Sequence, residues 1–241
     1  MSTHTPAPAR AAGGPNPGVL GLASLGLLVG SLISMAALSG GGTITSPFGT
    51  TETVAAFFAD HGFAVRSASM LQLGSAIPVG IYAATLYARQ QRLGIHVPGP
   101  KIGLFGGTAA AILLAVSAII TWTQSQDVVS ANPDLTHALA YLSFAAGGFV
   151  HVLGLGLLVA GIAVPALLLR LMPTWLCWIG LVIATLAELS FLTMVLEPLQ
   201  LLIPIGRFGS LIWLVAAGFL LPKTRHADHG RTNTRPEGEH A

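Results

Sequence analysis

Six long, continuous apolar runs constrain this chain more than any other feature. They lie near residues 18–39, 64–88, 102–124, 137–165, 175–196 and 199–221. A hydrocarbon core about 30 Å thick is crossed by about 20 helical residues, so each run is long enough to span a bilayer. The runs are rich in Ala, Leu and Gly and do not alternate as half-buried strands do. A helix also satisfies its own backbone hydrogen bonds in lipid, which an open strand cannot. Only 8% of the 241 residues are Asp, Glu, Lys or Arg, and 53% are hydrophobic. A soluble domain is about 25% charged, so this chain lacks the polar surface that water requires. The expected fold is all-α: a polytopic transmembrane helix bundle of six spans.

The basic residues fix an expected orientation. Arg10 precedes the first run; Arg89, Arg92 and Lys101 lie between the second and third; Arg170 follows the fourth; Lys223, Arg225, Arg231 and Arg235 follow the sixth. Lys and Arg favour the cytoplasmic side, and all of these fall on one side if both termini are cytoplasmic. Glu52, Asp60, Asp127, Asp134 and Glu197 then face outward. The location expected is a membrane, crossed several times, with both termini on the cytoplasmic side. The net charge of +2 is spread over loops and a tail, so it is no nucleic-acid footprint. The single cysteine, Cys177, excludes an internal disulfide and any Cys-based metal or redox motif.

Residues 1–17 are Pro-, Ala- and Gly-rich and read as a disordered cytoplasmic tail, as do the polar residues 223–241. The domain between them is 18–222. One Arg makes a poor signal-peptide start; a cut near Ser34-Met35-Ala36 would leave five spans in the same orientation. The outer loop 40–62 contains the turn signal Ser46-Pro47-Phe48-Gly49, then Thr51 to Phe58, which reads as a short helix capped by Thr50 or Thr51. With Val54, Phe57 and Phe58 on one face, it is expected to lie on the membrane surface, over the bundle, or as a lid on an outward cavity.

Two opposite charges, Glu188 and Arg207, lie inside apolar runs. Even on the lenient insertion scale, such a charge costs roughly 3 kcal/mol at mid-membrane. Counted at 1.5 Å per residue, each sits about 12 Å below the outer end of its own run, and the two runs are sequential. The expectation is that they meet, with Gln72 at a similar level and Ser31, Ser117 and Tyr141 in the same half. Such a pair either clamps two helices or lines a polar cavity. The second run, carrying Arg66, Ser67, Ser69, Gln72 and Ser75, is expected to be mostly shielded by its neighbours.

His137 and His151 lie fourteen residues apart in the fourth run, about 40° apart on one continuous helix, with Tyr141 on that face. Membrane cytochromes that hold two haems use such spacing, but they need matching ligands on another helix. No other run contains a histidine, so no haem, other cofactor or metal is expected, and no catalytic residue is assigned. In the first run Gly26, Gly30 and Ser34 form a small-residue face, suited to packing within the bundle or to a homodimer.

Four strings carry a resemblance: PFGTTETVAAFF, LQLGSAIPVGIYAAT, GLLVAGIAVPALLLRLMPTWL and PIGRFGSLIWLVAAGFLLP. Together they resemble a family of bacterial, largely actinobacterial, integral membrane proteins of unestablished activity, over most of residues 40–222. The resemblance implies six helices in the cytoplasmic membrane and transfers no catalytic residue. The functional expectation is a non-enzymatic membrane protein with a polar outer-half site at Glu188, Arg207 and Gln72, bordered by Tyr141 and His151. It would bind or pass a small polar solute or ion. The alternatives are a membrane-embedded enzyme or redox subunit using His137, Tyr141 and His151, and a structural subunit of a membrane complex.

Overall fold

The structure, a computed structural model, describes residues 14–42 and 46–222. The expected disorder of residues 1–13 and 223–241 lies outside the described residues. These contain helices and no strands: α1 (Pro17–Leu38), α2 (Thr51–Asp60), α3 (Gly62–Arg92), α4 (Pro98–Gln124), the single turn α5 (Asp127–Ser130), α6 (Pro133–Ala145), α7 (His151–Leu168), α8 (Thr174–Leu189) and α9 (Leu202–Leu220). Six helical segments are long and apolar enough to cross a membrane, the fourth being α6 and α7 together.

Local chemistry explains where helices begin. Asn16 Oδ1 accepts from Gly18 N–H at 2.9 Å, and Pro17 fills the first position, where a missing N–H is harmless. Asn132 and Pro133 repeat the device at α6. Thr50 caps α2, its hydroxyl accepting from Thr53 N–H at 3.3 Å. Val54, Phe57 and Phe58 of α2 are buried against Met35, Ala64, Val65, Ala68 and Ala140, so α2 lies over one end of the bundle. That end, the α2 end, is the one the basic residues assign to the outside. The opposite end is the tail end.

The fourth span is the centre of the bundle: 67% of its apolar window is buried, against 28% for the first. It gains this position through glycine. A Cβ on Gly161 would lie 2.5 Å from Gly103 Cα, and one on Gly154 would lie 2.7 Å from Gly106 O. Helices α4 and α7 therefore touch backbone to backbone, which only small residues allow. Helices α1 and α9 do the same where Gly218 meets Gly18, with a built Cβ 2.5 Å from its amide.

Side chains at the tail end close on backbone carbonyls of other helices. Tyr82 Oη donates to Leu214 O at 2.7 Å, Gln90 Nε2 to Gly161 O at 3.0 Å, and Trp213 Nε1 to Leu176 O at 2.8 Å. Arg89, counted from sequence as a loop charge, lies inside α3 and is 6% exposed. Its Nη1 donates to Gly218 O and Leu221 O, each at 3.2 Å, capping the carbonyl end of α9 where a cation suits the helix dipole.

Three expectations are corrected. The second span is not shielded as a whole: Phe63, Met70 and Ile77 of α3 point outward, as does Arg66, while Ser69 and Ser75 are turned inward. Of the stripe Gly26, Gly30 and Ser34, Gly26 does not pack the bundle, while Gly30 and Ser34 are half-buried, Gly30 beside Leu71 of α3. A Cβ on Gly26 would meet nothing within 4 Å, and α1 docks instead through Ser24, which pairs with Ser75, and Ser31, which donates to Ala68 O. The fourth span is not one helix, because a π turn (Ala146–Val150) interrupts it and Gly148 has ψ −109°, outside the helical region. Adjacent glycines 147 and 148 make that break cheap.

Candidate functional site

The break in the fourth span moves both histidines. A π turn carries more than 3.6 residues per turn, so the 100° count between His137 and His151 no longer applies. His137 instead holds the loop at the α2 end. Its Nε2 lies 2.7 Å from Pro47 O and its Nδ1 lies 2.8 Å from Thr51 Oγ1. A carbonyl only accepts, so Nε2 carries the proton and Nδ1 accepts from the threonine hydroxyl. Tyr141 stacks on His137, and Phe48 packs edge-on against Tyr141 and Phe144. His151 is fully buried, with Nδ1 2.8 Å from Ala110 O and Nε2 without a partner.

Glu188 and Arg207 do not pair. Their depths agree as expected: Ala187 and Gly206, one residue before each, are in contact, with a built Cβ on Gly206 3.1 Å from Ala187 Cα. Both side chains turn toward the fourth span, yet they reach it nine residues apart. Glu188 Oε1 packs against Gly156, where a Cβ would lie 2.9 Å away, and Oε1 has no hydrogen-bond partner. Arg207 donates from Nη2 to Gly147 O in the π turn. The cause is helix polarity. Every Cα–Cβ bond tilts toward its own helix's N-terminus, and α8 and α9 run antiparallel. Glu188 is thus carried toward the tail end and Arg207 toward the α2 end.

Arg207 enters a polar cavity of about 370 Å³ near the α2 end. Gln72 of α3, Ser117, Thr121 and Gln124 of α4, Ser143 of α6 and Gly147 of the π turn line it, and Ser46, Pro47, Phe58 and Gln200 border it on the α2 side. The hydroxyls are bonded to one another. Thr121 Oγ1 and Ser143 Oγ are 2.6 Å apart, Ser117 Oγ and Ser143 Oγ are 3.1 Å apart, and Gln72 Nε2 donates to Ser117 Oγ at 3.4 Å. Among the described residues no carboxylate lines the cavity. The guanidinium makes one hydrogen bond to protein, and its Nε is buried without a partner.

Of the residues singled out from sequence, the structure brings Arg207 and Gln72 together at the cavity. Glu188, Tyr141 and His151 do not line it. Ser117 does; Ser31 does not, being tied to Ala68 O. Sequence reasoning missed Thr121, Gln124 and Ser143. The signal existed: Ser117, Thr121 and Gln124 recur at helical spacing and make one polar stripe on an otherwise apolar α4.

A larger groove of about 640 Å³ lies on the outward surface of α3 and α4, lined by Phe63, Met70, Leu73, Ile119 and Trp122 among others. Its chemistry is that of a lipid-facing surface. No group of three or more His, Cys, Asp or Glu side chains suited to a metal occurs among the described residues. His137 has both ring nitrogens engaged, and nothing in the cavity pairs a nucleophile with a base. No known protein family, curated protein or solved structure matches the chain.

Proposed function

We propose that this is a multi-pass membrane protein that binds, and passes on, a small polar solute or ion through the cavity at its α2 end. The observation that carries the reading is the Arg207 guanidinium, half-buried, bonded to protein once and facing a polar cavity without a carboxylate partner. An unpaired charge at membrane depth is expensive, and such residues mark solute and ion pathways. Glu188, first considered with Arg207, leaves the site in this reading. The redox alternative loses support because a π turn separates His137 from His151 and each is held by a different element, His137 by Pro47 and Thr51 and His151 by Ala110 O.

The reading includes a bacterial cytoplasmic membrane, with both termini inside, and membership of the actinobacterial family that the four strings resemble. The orientation rests on the basic residues. Cysteines introduced singly at Ser46 and Lys101 test it, because Cys177 is 0% exposed and adds no background. Only Ser46→Cys should react with an impermeant maleimide added to intact cells. A homodimer through Gly26, Gly30 and Ser34 remains part of the proposal, supported by the open space around Gly26.

The site itself is tested by thermal unfolding of purified protein against neutral, anionic and cationic solutes of up to about ten heavy atoms, a size range consistent with a small polar-lined pocket. At least one class should raise the unfolding temperature. Gln200→Trp, which fills the cavity rim, should abolish that shift without lowering the unliganded value. If no class shifts the wild type, the solute reading fails and the structural-subunit reading takes its place.

A further inference from the structure

The cavity's hydrogen-bond ledger narrows what it accepts. The hydroxyls of Ser117, Thr121 and Ser143 are satisfied among themselves and by backbone, with Ser117 Oγ 3.0 Å from Ser143 O. They demand no partner from a ligand. Two demands are unmet: Gln124 Oε1 is a buried acceptor without a donor, and Arg207, the ionisable side chain lining the cavity, has no carboxylate partner among the described residues, its Nη2 already shared with Gly147 O. A cation entering here meets one positive charge and no counter-charge. A monoanion cancels that charge; a dianion leaves an excess negative charge in a poorly solvated space. The guanidinium edge suits a planar oxyanion better than a spherical ion, because its N–H groups form a fixed fork. Beside it the wall turns apolar, with Phe58, Phe144 and Ile203 all lining the cavity.

We infer that the cavity takes a small organic monocarboxylate, its carboxylate on the Arg207 guanidinium and its carbon skeleton against Phe144 and Ile203. This rests on the solute-binding reading above and names the solute class. The polar hydroxyl cluster then serves as a dry, self-satisfied wall rather than a set of recognition groups. The one interaction that decides selection is the charge-assisted contact at Arg207.

The test is calorimetric binding to purified protein in nanodiscs of zwitterionic lipid, with propionate, propionamide, propylamine, phosphate and chloride as probes. Propionate should bind. Its neutral isostere propionamide should bind at least about tenfold more weakly, the usual scale for losing a charged hydrogen bond. Propylamine, phosphate and chloride should not compete. Arg207→Gln should weaken propionate by about tenfold or more and weaken propionamide by much less, narrowing the gap between the two. Should Arg207→Gln fail to fold, Arg207→Lys keeps the charge but loses the fork, and propionate should still weaken. Propionamide or chloride binding as tightly as propionate, or propionate indifferent to both Arg207 variants, overturns the monocarboxylate inference. If that binding is still lost in Gln200→Trp, the solute site itself survives. No binding by any of the five probes removes both.

Discussion

Neutralising Glu188 and Arg207 separately and together tests the divergence of the two charges. They meet the fourth span at Gly156 and Gly147. At about 1.5 Å per residue this separates the contact points by about 13 Å. With an effective dielectric of about 20, unit charges that far apart interact by about 1 kcal/mol, against about 4 kcal/mol for a pair in contact at 4 Å. The cycle Glu188→Gln, Arg207→Gln and the double variant, read as unfolding free energy in mixed micelles, should therefore give a coupling of about 1 kcal/mol or less. Glu188→Gln alone should be tolerated, since the carboxylate has no hydrogen-bonded cation to lose. Charge reversal of both residues together should not rescue either single reversal. A coupling near 3 kcal/mol or above, or rescue by the swap, would show that the side chains meet and would refute the polarity argument.

Gly161→Leu should lower stability by about 1–3 kcal/mol or more through overpacking, because even a Cβ there would lie 2.5 Å from Gly103 Cα. Gly26→Ala, with open space around its Cβ, should instead be neutral or stabilising by up to about 1 kcal/mol, from helix propensity, in the same thermal assay. Arg89→Met should cost about 2–3 kcal/mol by stranding the Gly218 and Leu221 carbonyls, seen as faster amide exchange confined to the end of α9. His137→Ala removes the bonds to Pro47 and Thr51 and should raise amide exchange and protease cleavage in residues 46–60 while the spans stay protected. Cys177, at 0% exposure, should resist maleimide until the protein is unfolded in detergent.

Much of the architecture was legible because it follows from bulk properties. The length and composition of the apolar runs determine six helices, and Thr50 before Glu52 and a run of Val, Ala and Phe determines α2. The site was legible only in part, because it depends on directions rather than positions. Depth counting correctly levelled Glu188 with Arg207, yet depth along an axis says nothing of where a side chain tilts. The 40° between His137 and His151 assumed an unbroken helix, and the adjacent glycines Gly147 and Gly148 were the warning. Gly147 also serves close packing, since a Cβ there would collide with Ser117 Oγ. One position thus brings α4 close and frees the carbonyl that receives Arg207. Arg89 was misassigned for a related reason. Positive-inside counting treats an arginine near a span end as solvated, whereas this one is spent on the carbonyls of a neighbouring helix.

The two buried-depth arginines separate cohesion from reception. Arg89 is 6% exposed, caps two carbonyls of α9 and stands among Tyr82, Gln90 and Trp213, each closed on another helix's backbone. That is how this bundle uses polar side chains to hold itself together. Arg207 departs from the pattern: one carbonyl, an unpartnered Nε, and a face turned to a cavity whose hydroxyls already satisfy each other. A clamp would gain from a carboxylate at this level, and the chain has one within reach in sequence. Antiparallel polarity carries Glu188 away, and the π turn offers Arg207 only a neutral carbonyl. The bundle therefore keeps a positive charge at depth that nothing in its own described residues neutralises, and that charge is what a ligand from outside would answer.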